Sequence, residues 1–186
     1  RVIPHFVQKD IGEGEDISLV LLLFVILTAA RSGEARKAKW SEFDLKQRIW
    51  TIPASRMKAQ IMHRVPLSGP VLKLLEKLQQ KPSKRDLVFP SPRAGGELTD
   101  MALTSFLRKH RAVSDTPGRS ATAHGFRSSF RDWASENDYP RDYAERALAH
   151  RIKDASEAAY HRTDLLEKRR PMMEDWANYI VSEKKD

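Results

Sequence analysis

The chain has 186 residues, of which 33 are lysine or arginine and 25 are aspartate or glutamate, so its formal net charge is +8. This length fits a single folded domain, and 40% hydrophobic with 31% charged residues excludes a disordered or fibrous protein. Because there is no cysteine, disulfide frameworks and thiolate metal sites are excluded as well. The apolar stretch at residues 17–30 is shorter than the roughly 18–20 residues that cross a bilayer, so it predicts a buried core helix.

The basic excess is concentrated in two segments. Residues 31–64 carry a net charge of +6 and residues 101–131 carry +5, whereas residues 132–160 carry −3. Basic charge clustered in separate pieces of chain favours a polyanionic partner, and nucleic acid is the leading candidate. A surface of solvated mixed charges explains the composition about equally well. An anionic membrane is less favoured, since neither segment contains a basic amphipathic helix.

The front of the chain combines helices with a small sheet. Asp16 is a candidate N-cap for the apolar helix, and Ser32 is a candidate cap for a short second helix over residues 34–39. Aromatic and β-branched residues then predict strands at residues 40–43, 48–52 and 63–67, arranged as an antiparallel meander.

Helices dominate from Gly69 onward. Pro70 fits the first turn of a helix whose leucines repeat at helical spacing. Later helices are predicted near residues 99–111, 124–137, 140–149, 154–160 and 164–181. The predicted fold class is therefore mainly α with a small antiparallel three-stranded β-sheet (α+β).

Three pieces of the chain carry cations that could act on a phosphate. Arg31 directly follows the apolar helix, and Glu34 behind it could orient the guanidinium, although a helix-end arginine that satisfies terminal carbonyls is favoured for this stretch alone. Lys58 lies on the predicted turn between the second and third strands, where it is either a solvated lysine or a mobile proton donor. His124 and Arg127, at positions i and i+3, would project from one helix face.

A second histidine and a tyrosine lie further along. His150 ends the sequence Leu-Ala-His, and Tyr160 lies among small residues that would leave its hydroxyl accessible. A tyrosine needs neighbouring cations and a base to act as a nucleophile, because its free pKa is about 10. A lone tyrosine more often packs on the core, and that is the expected role of Tyr139, Tyr143 and Tyr179.

The chain has no motif that predicts a metal ion or cofactor. It contains no His-Glu-x-x-His pattern, no Cys/His spacing and no glycine-rich phosphate loop. We therefore expect that any phosphate chemistry here relies on side-chain cations.

The ordered set Arg31, Lys58, His124, Arg127, His150 and Tyr160 resembles the catalytic residues of the tyrosine recombinases, the phage integrase family. Local motifs support the resemblance, including Thr-x-x-Arg-x-Gly-Glu around Arg31, His-x-Val-Pro-Leu-Ser after Lys58 and His-Gly-Phe-Arg at residues 124–127. The details are most similar to integrases of prophages and genomic islands. One departure is Ala149, where many relatives have glycine, with the tyrosine ten rather than nine residues after the preceding histidine.

The resemblance implies a role for each residue. Tyr160 would attack a DNA phosphate to form a 3′-phosphotyrosine, Arg31 and Arg127 would clamp the phosphate, and His150 would hydrogen-bond it. Lys58 would protonate the leaving 5′ oxygen, His124 would help take the tyrosine proton, and Glu34 would support the site from behind. No metal ion, ATP or other cofactor would be needed.

The resemblance also implies an organisation and partners. Residues 1–14 would be a linker from an N-terminal core-binding domain, and residues 15–186 would be the catalytic domain. The partners would be double-stranded DNA attachment sites and, for the full-length protein, three further copies in a tetramer on DNA. The domain alone is expected to be a monomer in the bacterial cytoplasm, on the nucleoid, with no membrane partner.

Two other functions fit much of the same pattern. A type IB topoisomerase uses a similar set of residues and the same phosphotyrosine but relaxes supercoils without strand exchange. A non-catalytic DNA-binding relative would keep the fold and the basic surface without the reaction.

Overall fold

The computed structural model describes residues 16–80, 86–92, 95–150 and 163–182. Its described part is mostly helical with one three-stranded antiparallel sheet, which confirms the predicted fold class. The predicted linker at residues 1–14 and the predicted helix at residues 154–160 lie outside the described residues.

The first helix, α1 (Ile17–Thr28), is the centre of the core. The Asp16 carboxylate accepts a hydrogen bond of 2.9 Å from the Ser18 amide and so caps its first turn, as predicted. Every residue from Leu19 to Thr28 is buried, because the helix is apolar on all sides and packs against both the other helices and the sheet, where Phe24 contacts Trp50. The Trp176 indole donates to the Ile26 carbonyl at 2.8 Å and ties the C-terminal helix to it.

The second helix, α2 (Ser32–Ala35), is shorter and earlier than predicted. The prediction of residues 34–39 was wrong, and Arg31 rather than Ser32 occupies the N-cap position. The Glu34 carboxylate accepts from the Arg31 amide at 3.0 Å, which sets the start of the helix. The helix ends early because the chain becomes extended at Lys39, which forms a β-bridge with Leu87.

The sheet consists of β1 (Phe43–Asp44), β2 (Ile49–Ile52) and β3 (His63–Pro66) in that order. The predicted meander is confirmed, but the first strand does not cover residues 40–43, since Trp40–Glu42 is a 3₁₀ turn. Ser41 explains this turn, because its amide and its hydroxyl both donate to the Asp86 carboxylate, at 3.2 and 2.5 Å.

The remaining helices are shorter than, or close to, the predicted ranges. They are α3 (Gly69–Gln79), α4 (Ala102–Lys109), α5 (Gly125–Glu136), α6 (Arg141–Ala147) and α7 (Leu166–Val181). Within the described ranges, none of these helices is long and apolar enough to span a membrane. The end of α1, the start of α5 and the end of α6 meet at one place, which is the candidate site.

Candidate functional site

An open cavity of about 580 Å³ lies between α2, the connection from β2 to β3, and the start of α5. Its lining comprises Arg31, Ser32, Gly33, Glu34, Arg36, Lys37, Ser55, Arg56, Lys58, Ala123, His124 and Arg127. Five of the residues singled out from the sequence are in this list: the two arginines, the lysine, the first histidine and Glu34. The six cationic side chains face one carboxylate, so the cavity suits an anionic ligand.

Arg31 is held in the cavity by Glu34. One terminal nitrogen of its guanidinium donates to Glu34 Oε1 at 2.7 Å, and the other donates to the Ala149 carbonyl at 3.3 Å. Glu34 is 6% exposed, whereas the Arg31 side chain keeps a third of its surface open. The buried carboxylate therefore fixes an arginine that still faces solvent.

Arg127 is buried and joins three elements. Its guanidinium donates to the carbonyl of Ala29 at the end of α1 and, at 2.6 Å, to the carbonyl of Leu148 after α6. Burial, together with the repulsion of the nearby Arg31, lowers the pKa of Arg127 to about 10, although Glu34 acts in the opposite direction. The side chain therefore remains a cation at neutral pH although it is 5% exposed.

His150 follows the turn that the two arginines hold. Arg127 donates to the Leu148 carbonyl and Arg31 donates to the Ala149 carbonyl, so the two arginines hold the two residues immediately before this histidine. The His150 ring lies 2.6 Å from the Glu145 carboxylate through Nδ1, and it is not among the side chains that line the cavity. Ala149 has a φ of 48°, in the left-handed region that favours glycine.

Among the predicted residues that line the cavity, Lys58 and His124 are the exposed ones. Lys58 lies on the turn between β2 and β3, as predicted, and Met57 before it is buried. His124 occupies the N-cap position of α5, and the Thr122 hydroxyl accepts from the Gly125 amide at 3.0 Å. Both side chains can therefore meet a ligand without displacing the core.

The other predictions have mixed outcomes. Tyr160, the predicted nucleophile, lies outside the described residues. Tyr139 and Tyr143 pack against the core, and the Tyr179 ring stacks on Trp176, as expected for structural tyrosines.

Two functional candidates were missed in the sequence. Arg56 lines the cavity two residues before Lys58, and its spacing gave no signal because its partners are distant in sequence. His63 is partly buried in β3. Burial, Arg169 and Arg127 lower its pKa to about 4, although Glu34 and a hydrogen bond with the Ala147 backbone partly oppose them.

Within the described ranges, no group of three histidine, aspartate or glutamate side chains is arranged to hold a metal ion. The ionisable groups that line the cavity are guanidiniums, ammoniums, an imidazole and a carboxylate.

The chain is similar to proteins of one family. Prophage integrase IntA of Escherichia coli (strain K12) is 36% identical over 160 residues, which cover 86% of this chain and 38% of that protein. The chain thus spans well under half the length of this curated relative.

Solved structures share the fold. The integrase from mycobacterium phage Brujita matches with a TM-score of 0.66 and 17% identity, over 98% of this chain and 62% of that one. A lambda integrase dimer bound to a COC′ core site matches with a TM-score of 0.58 and 18% identity, over 88% of this chain and 56% of that one.

The sequence model of the phage integrase family matches residues 6–165, a stretch that includes every residue described at the cavity. Together with the identity to IntA, this match places the chain in the phage integrase family.

Proposed function

We propose that this chain is the catalytic domain of a site-specific DNA recombinase, which integrates or excises a mobile element through a 3′-phosphotyrosine intermediate. The observation that carries the proposal is the convergence of Arg31, Arg127, Lys58 and His124 on one cavity rich in cations. Family membership and the DNA complex of the structurally similar lambda integrase support it.

The two arginines would bind the scissile phosphate. Each terminal guanidinium nitrogen carries two N–H groups, and one N–H from each nitrogen of Arg127 is already used by a carbonyl. The second N–H groups, together with those of Arg31, would hydrogen-bond the non-bridging oxygens. Two preorganised guanidiniums would stabilise the extra negative charge of the transition state.

The bond changes balance without any further reactant. The Tyr160 oxygen forms a bond to phosphorus and loses its proton to His124, while the bond from phosphorus to the 5′ oxygen breaks and Lys58 supplies that oxygen with a proton. His150 would hydrogen-bond the same phosphate. In the second step a 5′-hydroxyl from another strand attacks phosphorus and gives its proton to Lys58, while Tyr160 leaves and regains its proton from His124.

Each step exchanges one phosphate ester for another, so ATP would not be required. Charge stabilisation by arginine would likewise replace a metal ion. Strand cleavage is therefore expected to proceed unchanged in excess EDTA and without nucleotide, and a rate that depends on added Mg²⁺ would contradict this part of the proposal.

The test is covalent capture on a nicked oligonucleotide that carries the attachment site. After cleavage a short fragment with the 5′-hydroxyl diffuses away, which traps the protein on DNA as an adduct visible on a denaturing gel. We expect the wild-type chain to form the adduct and Tyr160→Phe to form none while it still binds DNA. Tyr143→Phe is the matched control, because Tyr143 packs against the core, and it should retain the adduct.

Other outcomes would assign a different function. An adduct that persists in Tyr160→Phe would refute the nucleophile. Relaxation of supercoiled plasmid without sequence preference or strand exchange would indicate a topoisomerase, and DNA binding without any adduct would indicate a non-catalytic relative.

We also propose that the longer protein assembles as a tetramer on two attachment sites, and that this domain alone is a monomer. Sedimentation of the chain with and without attachment-site DNA would test this, and a stable oligomer of the free domain would contradict it.

A further inference from the structure

The segment that carries Lys58 is fixed at its base. After β2 the chain forms a 3₁₀ turn over Ala54–Arg56, and Met57 is then buried at 3% exposure. The Gln60 amide donates to the Met57 carbonyl at 3.0 Å, which closes a tight turn with Lys58 as its second residue. The position of Lys58 therefore depends on how Arg56 and Met57 are held.

Arg56 is held on two sides. One terminal nitrogen of its guanidinium forms an ion pair with the Glu42 carboxylate, and the other donates to the main-chain carbonyl of Glu34. Glu42 is itself fixed, because its second oxygen accepts from the Trp50 indole at 2.9 Å. The Arg56 side chain is 16% exposed and that of Glu42 is 9% exposed, so this is a largely buried ion pair.

The contact to Glu34 connects the lysine segment to the arginine site. Glu34 binds the Arg31 guanidinium through its side chain and the Arg56 guanidinium through its carbonyl. One residue of α2 thus sets the position of an arginine that faces the cavity and of the turn that carries the lysine.

Stability alone does not account for this ion pair. Removing two charges from water costs about as much as their attraction returns, and well-packed apolar residues often stabilise a fold at least as well. The Arg56 Nε is also buried and has no hydrogen-bond partner among the described residues, which adds to the cost. A geometric role explains why a fork-shaped cation occupies this place, since it bridges two acceptors at fixed separation.

We propose that Arg56 is a positioning residue for Lys58: its bridge from Glu42 to the Glu34 carbonyl holds the turn so that the lysine ammonium reaches the leaving 5′ oxygen. This inference rests on the proposed function, in which Lys58 supplies that proton. Arg56 itself need not touch the DNA.

The test compares two substrates that differ in one atom. A 5′-bridging phosphorothiolate replaces the leaving 5′ oxygen by sulfur, and a thiol, with a pKa of about 8.5, leaves as the thiolate without being protonated. Loss of the proton donor should therefore slow cleavage of the oxygen substrate and spare the sulfur substrate. We expect Lys58→Ala to cleave the oxygen substrate about 10²–10⁴-fold more slowly than the wild type, which is the range of general acid catalysis. It should cleave the sulfur substrate near the wild-type rate.

Arg56→Gln should show the same selectivity. Misplacing a reacting group by about 1 Å lowers a reaction rate on the order of 10²-fold. We therefore expect a decrease of that size in the cleavage rate of the oxygen substrate, and a near wild-type rate for the sulfur substrate. Glu42→Gln removes the charge of the partner but keeps an acceptor for Trp50, and it should give a smaller loss with the same selectivity.

Arg36 provides the matched control. Its side chain is also 16% exposed and lines the same cavity, but it binds Asp100 and the Leu98 carbonyl, away from the lysine turn. Arg36→Gln should therefore keep the wild-type ratio of the two cleavage rates, whatever its absolute rate.

The outcomes separate this inference from the proposed function. If wild type forms no adduct with either substrate, the proposed function fails and this inference fails with it. If wild type and Lys58→Ala behave as expected but the Arg56 and Glu42 variants lose both substrates equally, Arg56 is a structural residue and the inference alone is overturned.

Discussion

His63 should make the stability of the fold depend on pH in the weakly acidic range. The imidazole lies in β3, and the groups that face it are Arg169 of α7, Arg127 of α5, Glu34 of α2 and the backbone of Ala147 at the end of α6. Burial and the two arginines lower its pKa from 6.5 to about 4, so the folded chain keeps this histidine neutral. The substitution His63→Gln tests this, because glutamine is polar but does not take up a proton in this pH range.

The direction in which stability changes with pH follows from proton uptake on unfolding. Below pH 6.5 the unfolded chain binds a proton at this position that the folded chain does not bind until the pH approaches 4. The contribution to stability is therefore complete above pH 6.5 and is lost as the pH falls towards 4. Each pH unit is worth about 1.4 kcal/mol, so the span of about 2.5 units corresponds to at most about 3.5 kcal/mol.

Urea unfolding of the wild-type chain and of His63→Gln, at steps from pH 4.5 to 7.5, measures this difference. The variant loses its hydrogen bond at every pH, which shifts its curve by a constant amount. We expect the free energy of unfolding of the wild type to fall more steeply below pH 6.5, and the two curves to converge or cross. Curves that stay parallel over the whole range would show that His63 takes up no proton on unfolding between pH 4.5 and 7.5.

Two substitutions test the supports of the site by urea unfolding. Ala149→Gly should stabilise the fold by about 0.5–1 kcal/mol, because glycine removes the strain of the positive φ at a small cost in chain entropy, and a loss of stability would contradict this. Arg127→Met should destabilise it by about 2–4 kcal/mol, because the buried carbonyls of Ala29 and Leu148 lose their donor. Arg131→Met, at a half-exposed arginine of the same helix, should cost less than about 1 kcal/mol, and equal losses for the two variants would refute the role of the buried contacts.

Local patterns in the sequence predicted the fold well where one property dominates. The run from Leu19 to Leu27 is apolar on every side, and burial all round is its only stable environment in water. The predicted extents were wrong at α2 and at residues 40–43, since two residues distant in sequence determine the backbone there: the Asp86 side chain and Leu87, which forms a β-bridge with Lys39. Contacts between residues distant in sequence cannot be predicted from the local pattern of a single sequence.

The sequence was sufficient to predict several residues of the candidate site, but not the contacts that hold them. Arg31, Lys58, His124 and Arg127 were recognisable from their order and local motifs, and the structure brings all four to one cavity. Tyr160 stays a prediction, and the ring of His150 is paired with Glu145 rather than lining the cavity. Arg56 could not be found, because its importance derives from Glu42 and Glu34, 14 and 22 residues away.

The departure at Ala149 is a case in which sequence and structure are both needed. The sequence shows alanine where many tyrosine recombinases have glycine, and the structure gives that residue a positive φ. The left-handed turn directs the carbonyls of Leu148 and Ala149 to Arg127 and Arg31. The turn is therefore kept at a cost in strain because it provides acceptors for both arginines.

These acceptors also explain how two arginines share one cavity before DNA binds. Arg31 and Arg127 repel each other, and this repulsion adds to the effect of burial in lowering the pKa of Arg127. The carbonyls that bind them lie at the ends of α1 and α6, where the helix dipole is negative, and Glu34 adds a full negative charge. The cations are thus fixed by the protein's own dipoles, whereas Lys58 and His124 remain exposed. Fixed arginines beside an exposed lysine and histidine suit the proposed reaction. Charge stabilisation requires rigid groups, whereas proton transfer requires groups that can approach the moving oxygens.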